Sequence, residues 1–212
     1  MKKGKLDKNL EPNLSTEQLK TLYEYMLLGR RLDERMLILQ RQGRLSTFAQ
    51  CTGHEAISLG AAFAINKNDS LIPYYRELAG MLYRGWPIEQ FLLYWNGWEE
   101  GAIVPQDVND LPFCIPISSQ LLHAVGMGMA NNIKNEKKVV VVFFGEGAAS
   151  EGDCHEAMNF ASVFNTPVIF MCVNNQYAIS VPLSRQMKAK TVVQRAIAYD
   201  IPGIRVDGNV FT

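Results

Sequence analysis

The stretch VVVVFFGEGAASEGD, Val139 to Asp153, decides the fold. Val139–Phe144 is an unbroken apolar run, the signature of a parallel strand buried on both faces. It runs into Gly145-Glu146-Gly147, then small residues, then acids that open a helical pattern over Glu151–Phe164. A second apolar run, Pro167–Val173, ends on Asn174-Asn175-Gln176-Tyr177. A helix over Arg185–Tyr199 and a strand over Ile204–Val206 are expected next. Strand, helix, strand, helix, strand predicts an α/β protein built on a doubly wound parallel sheet.

Upstream the pattern is helical. Ser15 or Thr16 is placed to cap a helix in which Leu19, Leu22, Tyr23, Met26 and Leu27 recur at helical spacing. It should run to about Gln42 and stop at Gly43. A helix over His54–Ala64 follows, then a short strand at Leu71-Ile72 feeding a loop through Tyr74-Tyr75-Arg76. Pro87–Trp95 predicts a helix with proline in its first turn. Pro105, Pro112 and Pro116 mark Glu100–Ile117 as a long loop. Gln120–Ile133 predicts a helix whose Gly126 and Gly128 permit close packing. No linker, repeat or low-complexity run divides residues 1–212, which predicts one domain with a helical N-terminal extension over about residues 1–45.

Composition narrows the classes. The chain is 48% hydrophobic, enough for a sizeable core. Its 21 basic and 21 acidic residues cancel, whereas nucleic-acid affinity rests on massed positive charge. The cluster Lys2, Lys3, Lys5 and Lys8 reads as a solvated N-terminus. No apolar run approaches the roughly 20 residues of a membrane helix, and no apolar signal core follows Met1. Cys51, Cys114, Cys154 and Cys172 form no CxxC pair, so they read as reduced packing residues of a cytoplasmic protein and not as a zinc site.

The chemistry sits at the carboxyl ends of the two strands, where ligands of parallel sheets bind. Residues 148–173 make one helix and one strand, so adjacent strands bring Glu146 and Asn175 close. Glycines beside Glu146 let backbone approach a ligand, and the helix that follows offers free N–H groups to a phosphate. A carboxylate would repel that phosphate. A divalent cation resolves the conflict, because magnesium takes hard oxygen ligands and phosphate together. Glu146 and the Asn175 side-chain oxygen supply two ligands, and a backbone carbonyl near Tyr177 a third. Two other readings stand beside this one. Gly-Glu-Gly is also a tight turn and the asparagines also cap the next segment. Gly145-x-Gly147-x-x-Ser150 also half-matches a dinucleotide fingerprint, although Asn174-Asn175 stands where an acid should hold the ribose.

GEGAASEGD followed by NNQYAIS resembles the thiamine diphosphate motif, and more closely the alpha subunits of 2-oxo acid dehydrogenases of the pyruvate and branched-chain type. RQGRLSTF (Arg41–Phe48), TGHEAISLGAA (Thr52–Ala62), YYRE (Tyr74–Glu77), PISSQLLHAVG (Pro116–Gly126) and IPGIRVDGN (Ile201–Asn209) carry the same resemblance, in order, over nearly the whole chain. The resemblance implies thiamine diphosphate and Mg2+ as cofactors. Glu146, Asn175 and the Tyr177 carbonyl would hold the metal. Gly147, Ala148, Tyr75 and Arg76 would lie on the diphosphate. Ser119 and Leu121 would face the aminopyrimidine, mainly through backbone. It implies decarboxylation of a small 2-oxo acid, or acetoin chemistry in some relatives. The acyl group would pass to the lipoyl group of an acyltransferase.

The resemblance also implies a beta subunit that donates the glutamate activating the cofactor, in an α2β2 heterotetramer, with no nucleic-acid or membrane partner. It places the chain in the cytoplasm, or in the mitochondrial matrix if a transit peptide precedes it. Thr47 stands where relatives often carry an aromatic residue, which Phe48 would replace, and Val173 where many are polar. Relatives continue past the position of Thr212 with a loop bearing a catalytic histidine. No catalytic residue is therefore assigned within the chain, and a truncated, non-catalytic relative that keeps the fold is the second expectation. His54 is expected at a helix start, His123 in core or loop packing, and His155 on a helix surface.

Overall fold

A computed structural model describes residues 11–209. The basic cluster Lys2–Lys8 lies outside them. The chain divides into two compact units interleaved in sequence, one of residues 11–65, 76–108 and 207–209, the other of residues 66–75 and 109–206.

The first unit is helical: α1 (Thr16–Arg41), α2 (Glu55–Ala64), α3 (Leu78–Arg84) and α4 (Ile88–Trp95). Ser15 caps α1 as its sequence predicts: the hydroxyl accepts from Gln18 N–H, and the Gln18 side chain returns to the Ser15 N–H. This capping box satisfies two otherwise orphaned donors. The helix ends at Gln42, ahead of Gly43 in the left-handed region. Leu22 of α1, Leu59 of α2 and Ala79 of α3 form the centre of a small core, with Phe63 and the edge-to-face pair Tyr25–Tyr83 around it. Asp33, fully buried in α1, accepts hydrogen bonds from Cys51 N–H at 2.7 Å and from the Thr52 hydroxyl. That tie fixes the loop ahead of α2. α3 was not expected from the sequence. Its seven residues are too few to be stable alone, and packing against α1 and α2 holds them.

The second unit carries the sheet. Its elements are β1 (Ser70–Ile72), α5 (Ser119–Ile133), β2 (Val140–Gly145), α6 (Gly152–Val163), β3 (Val168–Val173), a small hairpin of β4 (Tyr177–Ala178) and β5 (Val181–Pro182), and two short helices, α7 (Leu183–Gln186) and α8 (Gln194–Ile197). Strands β1, β2 and β3 pair in that order and all parallel, with Ser70 opposite Val140 and Gly145 opposite Val173. Val140, Val142 and Phe144 point to one face, where Leu121, Ala124 and Val125 of α5 and Cys154, Ala157 and Ala161 of α6 complete a dry core. Gly128 lets α5 sit close on the start of β3: a Cβ there would lie 2.8 Å from Val168 Cγ2. Gly126 has open space and does no such work.

Two expectations are corrected. The helix over Arg185–Tyr199 is instead the four-residue helices α7 and α8, separated by irregular chain from Met187, which is extended, to Val193. The β-branched run Thr191-Val192-Val193 disfavours helix, and the Gln194 side chain bonds the Thr191 N–H instead. Ile204–Val206 is not a strand. Both residues are exposed and follow Pro202-Gly203, with no ladder partner among the described residues. The third strand of the sheet is β1. The sheet is parallel and the protein α/β, as expected.

Candidate functional site

The carboxyl ends of β2 and β3 lie side by side because Gly145 and Val173 are register partners. Glu146, one residue past β2, is only 2% exposed, and its Oε2 accepts from the Asn175 N–H at 3.3 Å. The carboxylate therefore sits inside the protein at the mouth of two strands. It bears on its surroundings: burial, then the Glu146 carboxylate, push the Cys172 thiol up to about 12. Cys154 beneath it is raised by burial to about 11. Both are packing thiols and poor nucleophiles.

The two asparagines make local turns. Asn174 Oδ1 accepts from Gln176 N–H and Asn175 Oδ1 from Tyr177 N–H, each at 2.9 Å. The capping role is thus real, yet a carbonyl oxygen has two lone pairs, so Asn175 Oδ1 keeps one for a ligand. Gln176 adopts φ +76, and this turns the chain into the β4–β5 hairpin. The hairpin returns to the first strand end: a Cβ on Gly147 would lie 2.7 Å from Ala178 Cβ. Gly147 is required for this close approach, since its φ of −64 suits any residue.

A second group of residues meets the same turn from α5. Ser118, fully buried at φ +74, donates its hydroxyl to Ala148 O at 3.4 Å. Gln120 Nε2 donates to Phe143 O at 2.8 Å. Ala148 is buried at the start of a 3-10 turn, with Ser150 and Glu151 N–H groups closing back on Gly147 and Ala148. Tyr75 stacks at a tilt on Tyr74, centroids 3.9 Å apart, and the Tyr74 hydroxyl lies 3.8 Å from where a Gly145 Cβ would stand. The end of β1 thus borders the same site.

Other expected residues sit differently. The Ser119 hydroxyl donates to Pro116 O at 2.9 Å and contacts the Cys114 thiol at 3.0 Å. Leu121 is fully buried in the core and its N–H goes to Ser118 O, so it offers a ligand neither side chain nor backbone donor. Ile115 and Ile117, on either side of Pro116, are exposed. Arg76 belongs to the helical unit, where its Nε donates to Gln50 O at 3.0 Å. Beside it, burial and the Arg76 cation push the His54 imidazole below its ordinary value. His123 is exposed on α5, not packed, while His155 is exposed on α6 and bonds the Tyr199 hydroxyl at 2.6 Å. Thr47 and Phe48 lie in the helical unit, with the Phe48 ring edge-on to Trp95. Val173 is buried at the end of β3.

Ile179 escaped the sequence reading. It is fully solvent-exposed, at φ +56, two residues beyond Tyr177. A β-branched residue in the left-handed region is strained. The only signal in the sequence is its position directly after the ligand-like segment.

What fits this site is a hard cation with an anion. The side-chain donors gathered at the strand ends are oxygens, a carboxylate and an amide carbonyl, suited to magnesium and not to zinc or copper. Among the described residues no three His, Cys, Asp or Glu side chains are gathered to hold a metal by themselves. Further ligands would therefore come from backbone, water and a phosphorylated partner.

Comparison with known proteins gives the family. Residues 23–211 match the family model of the dehydrogenase E1 component. The 3-methyl-2-oxobutanoate dehydrogenase subunit alpha of Mycobacterium tuberculosis is 47% identical over 197 residues, 93% of this chain and 54% of that protein. The pyruvate dehydrogenase E1 component subunit alpha of Bacillus cereus is 41% identical over 93% of this chain and 53% of its own length. That of Acholeplasma laidlawii is 41% identical over 96% and 59%. The chain spans somewhat over half the length of these relatives.

Proposed function

The chain belongs to the dehydrogenase E1 component family, and from that premise we propose that it is the alpha subunit of a thiamine-diphosphate-dependent 2-oxo acid dehydrogenase, holding the diphosphate end of the cofactor through Mg2+. One observation carries the reading: a buried carboxylate at the end of β2 bonded to the backbone of Asn175 at the end of the neighbouring β3. Without a cation, a buried carboxylate beside a phosphate would be strongly unfavourable. With one, Glu146 and Asn175 become its anchors, and the Tyr177 carbonyl a third. Gly147 and Ala148 present backbone to the diphosphate, and Tyr75 donates its hydroxyl. Arg76 keeps the diphosphate role that the family resemblance implies, suited to its permanent planar charge. The fold is then the doubly wound type that binds this cofactor, and residues 1–212 belong to one such domain.

When bound, the cofactor supplies a thiazolium carbon that adds to the 2-oxo acid carbonyl and accepts the electrons released with carbon dioxide. The chain's own part is to hold and orient. Exposed Ile115 and Ile117 suit the aminopyrimidine better than Leu121 does. Ile179, exposed and strained beside the metal segment, is placed to pack on an apolar part of the cofactor. The remaining partners are a beta subunit in an α2β2 assembly and a lipoyl-bearing acyltransferase. Ser119 retains a role at the ring through its backbone. The substrate is a 2-oxo acid of the pyruvate or branched-chain class, as the names of the relatives suggest.

Thermal melting tests the reading. Thiamine diphosphate with Mg2+, at about 100 times Kd, should raise Tm by roughly 5–10 °C. Glu146→Ala should abolish the shift. An undiminished shift in that variant would overturn the assignment.

A further inference from the structure

Gln120 is only 2% exposed, at the start of α5. Its Nε2 donates to Phe143 O at 2.8 Å. Its Oε1 is buried and has no hydrogen-bond partner among the described residues. A buried amide satisfied at one end carries the desolvation cost of its unpaired oxygen. Its contribution therefore lies in the one bond it makes, to Phe143 O.

What it serves follows from the ladder. Val140 N–H bonds Pro167 O toward β3, and Ser70 N–H bonds Val139 O toward β1. Backbone groups alternate sides along a strand, so Phe143 O faces β1. β1 has already ended, at Ile72 opposite Val142. Beyond it the chain turns away, with Tyr74 O accepting from Cys114 N–H at 2.8 Å. The Gln120 amide takes the place of the missing strand. Ser118, two residues earlier, bonds Ala148 O. The N-cap and first turn of α5 therefore hold the chain at Phe143 and at Ala148, on either side of Gly145-Glu146-Gly147.

We propose that Gln120 is a positioning residue of the metal site: by bonding Phe143 O where β1 leaves the sheet, it holds the Gly145–Gly147 turn so that the Glu146 carboxylate faces the strand mouth. The inference rests on the cofactor reading for its consequence and on backbone geometry alone for its mechanism, so the two fail separately.

The experiment uses the full chain and two near-isosteric variants. In Gln120→Met the donor is gone. Backbone amides at Gly145–Gly147 should exchange with deuterium about tenfold faster than in the wild type, with β3 unchanged. Affinity for thiamine diphosphate with Mg2+, by calorimetry, should fall about tenfold, while Tm of the free protein should fall by no more than the loss of one buried hydrogen bond allows. In Gln120→Glu the introduced carboxyl donates to Phe143 O only while protonated. Relative to the wild type at the same pH, its cofactor affinity should be nearly equal near pH 6 and about tenfold weaker by pH 8.5. Unchanged exchange at Gly145–Gly147 in Gln120→Met, or a Gln120→Glu profile that follows the wild type, overturns the proposal. If the wild type binds no cofactor while the exchange difference appears, the positioning role stands and the cofactor reading falls.

Discussion

A Cβ on Gly147 would come within 2.7 Å of Ala178 Cβ, and this contact joins the two halves of the site. Gly147→Ala should therefore push the β4–β5 hairpin off the strand end. Denaturant unfolding should show a loss of about 1–3 kcal/mol, the usual cost of overpacking. Adding Ala178→Gly should recover most of it. No recovery would place the effect elsewhere. His54 gives a residue-scale test of electrostatics in the helical unit. Burial first, then Arg76, depress its pKa, against the opposing pull of Glu55 and Asp33. The folded protein therefore binds that proton less readily than the unfolded chain. The stability this contributes is present above the ordinary value of 6.5 and is lost as pH falls through the lowered value. Glu55 adds to the loss at lower pH. Burial alone would raise its carboxyl, but the Arg30 hydrogen bond at 2.6 Å and the backbone bonds lower it on balance. His54→Gln should flatten the rise of Tm with pH between about pH 5 and 7, and melts across that window check it.

At the scale of elements, the segment after the hairpin is held by few polar ties. Tyr199 bonds His155 of α6, and Arg195 reaches the Ser150 hydroxyl at 3.5 Å. Ala196, Val192 and Ile201 pack on the core. Tyr199→Phe should leave global stability within about 1–1.5 kcal/mol yet raise hydrogen exchange over residues 187–201. Unchanged exchange would mean that packing alone holds the segment. The same segment shows where sequence reading stops. α1, β2 and β3 were readable because their signals are local: a capping box and amphipathic spacing in one, continuous apolar runs in the others. Residues 185–199 have helical composition but no sustained apolar face, and β-branched residues interrupt them. Ile204 and Val206 alternate like a strand, but a strand exists only where a neighbour pairs with it. α3 was missed for the converse reason, since tertiary packing makes a helix of a sequence too short to announce one. In the site, Glu146 and Asn175 could be paired from the sequence because parallel strands put successive carboxyl ends together. Gln120 could not be found, because its part depends on where β1 leaves the sheet. That the Leu121 side chain is buried could not be read either, because helix phase decides which residue of the α5 start faces the core.

At the scale of the whole molecule, the balanced charge suits a small organic ligand better than a polyanion. The described site offers groups that bind and orient. In the proposed assembly Glu146 is taken by the metal, and the beta subunit donates the glutamate that activates the cofactor. Thiamine diphosphate, Mg2+ and a 2-oxo acid should therefore give near-background carbon dioxide release with this chain alone, and release should rise sharply with a beta subunit. Strong decarboxylation by the chain alone would contradict the division of labour. The central claim is that one dication joins Glu146 and Asn175 to a diphosphate. Manganese in place of magnesium makes that join visible, because it broadens the phosphorus resonances of bound thiamine diphosphate. With the chain and a beta subunit together, the broadening should appear for the wild type and disappear in both Glu146→Gln and Asn175→Ala. Equal broadening in the wild type and the two variants would contradict it.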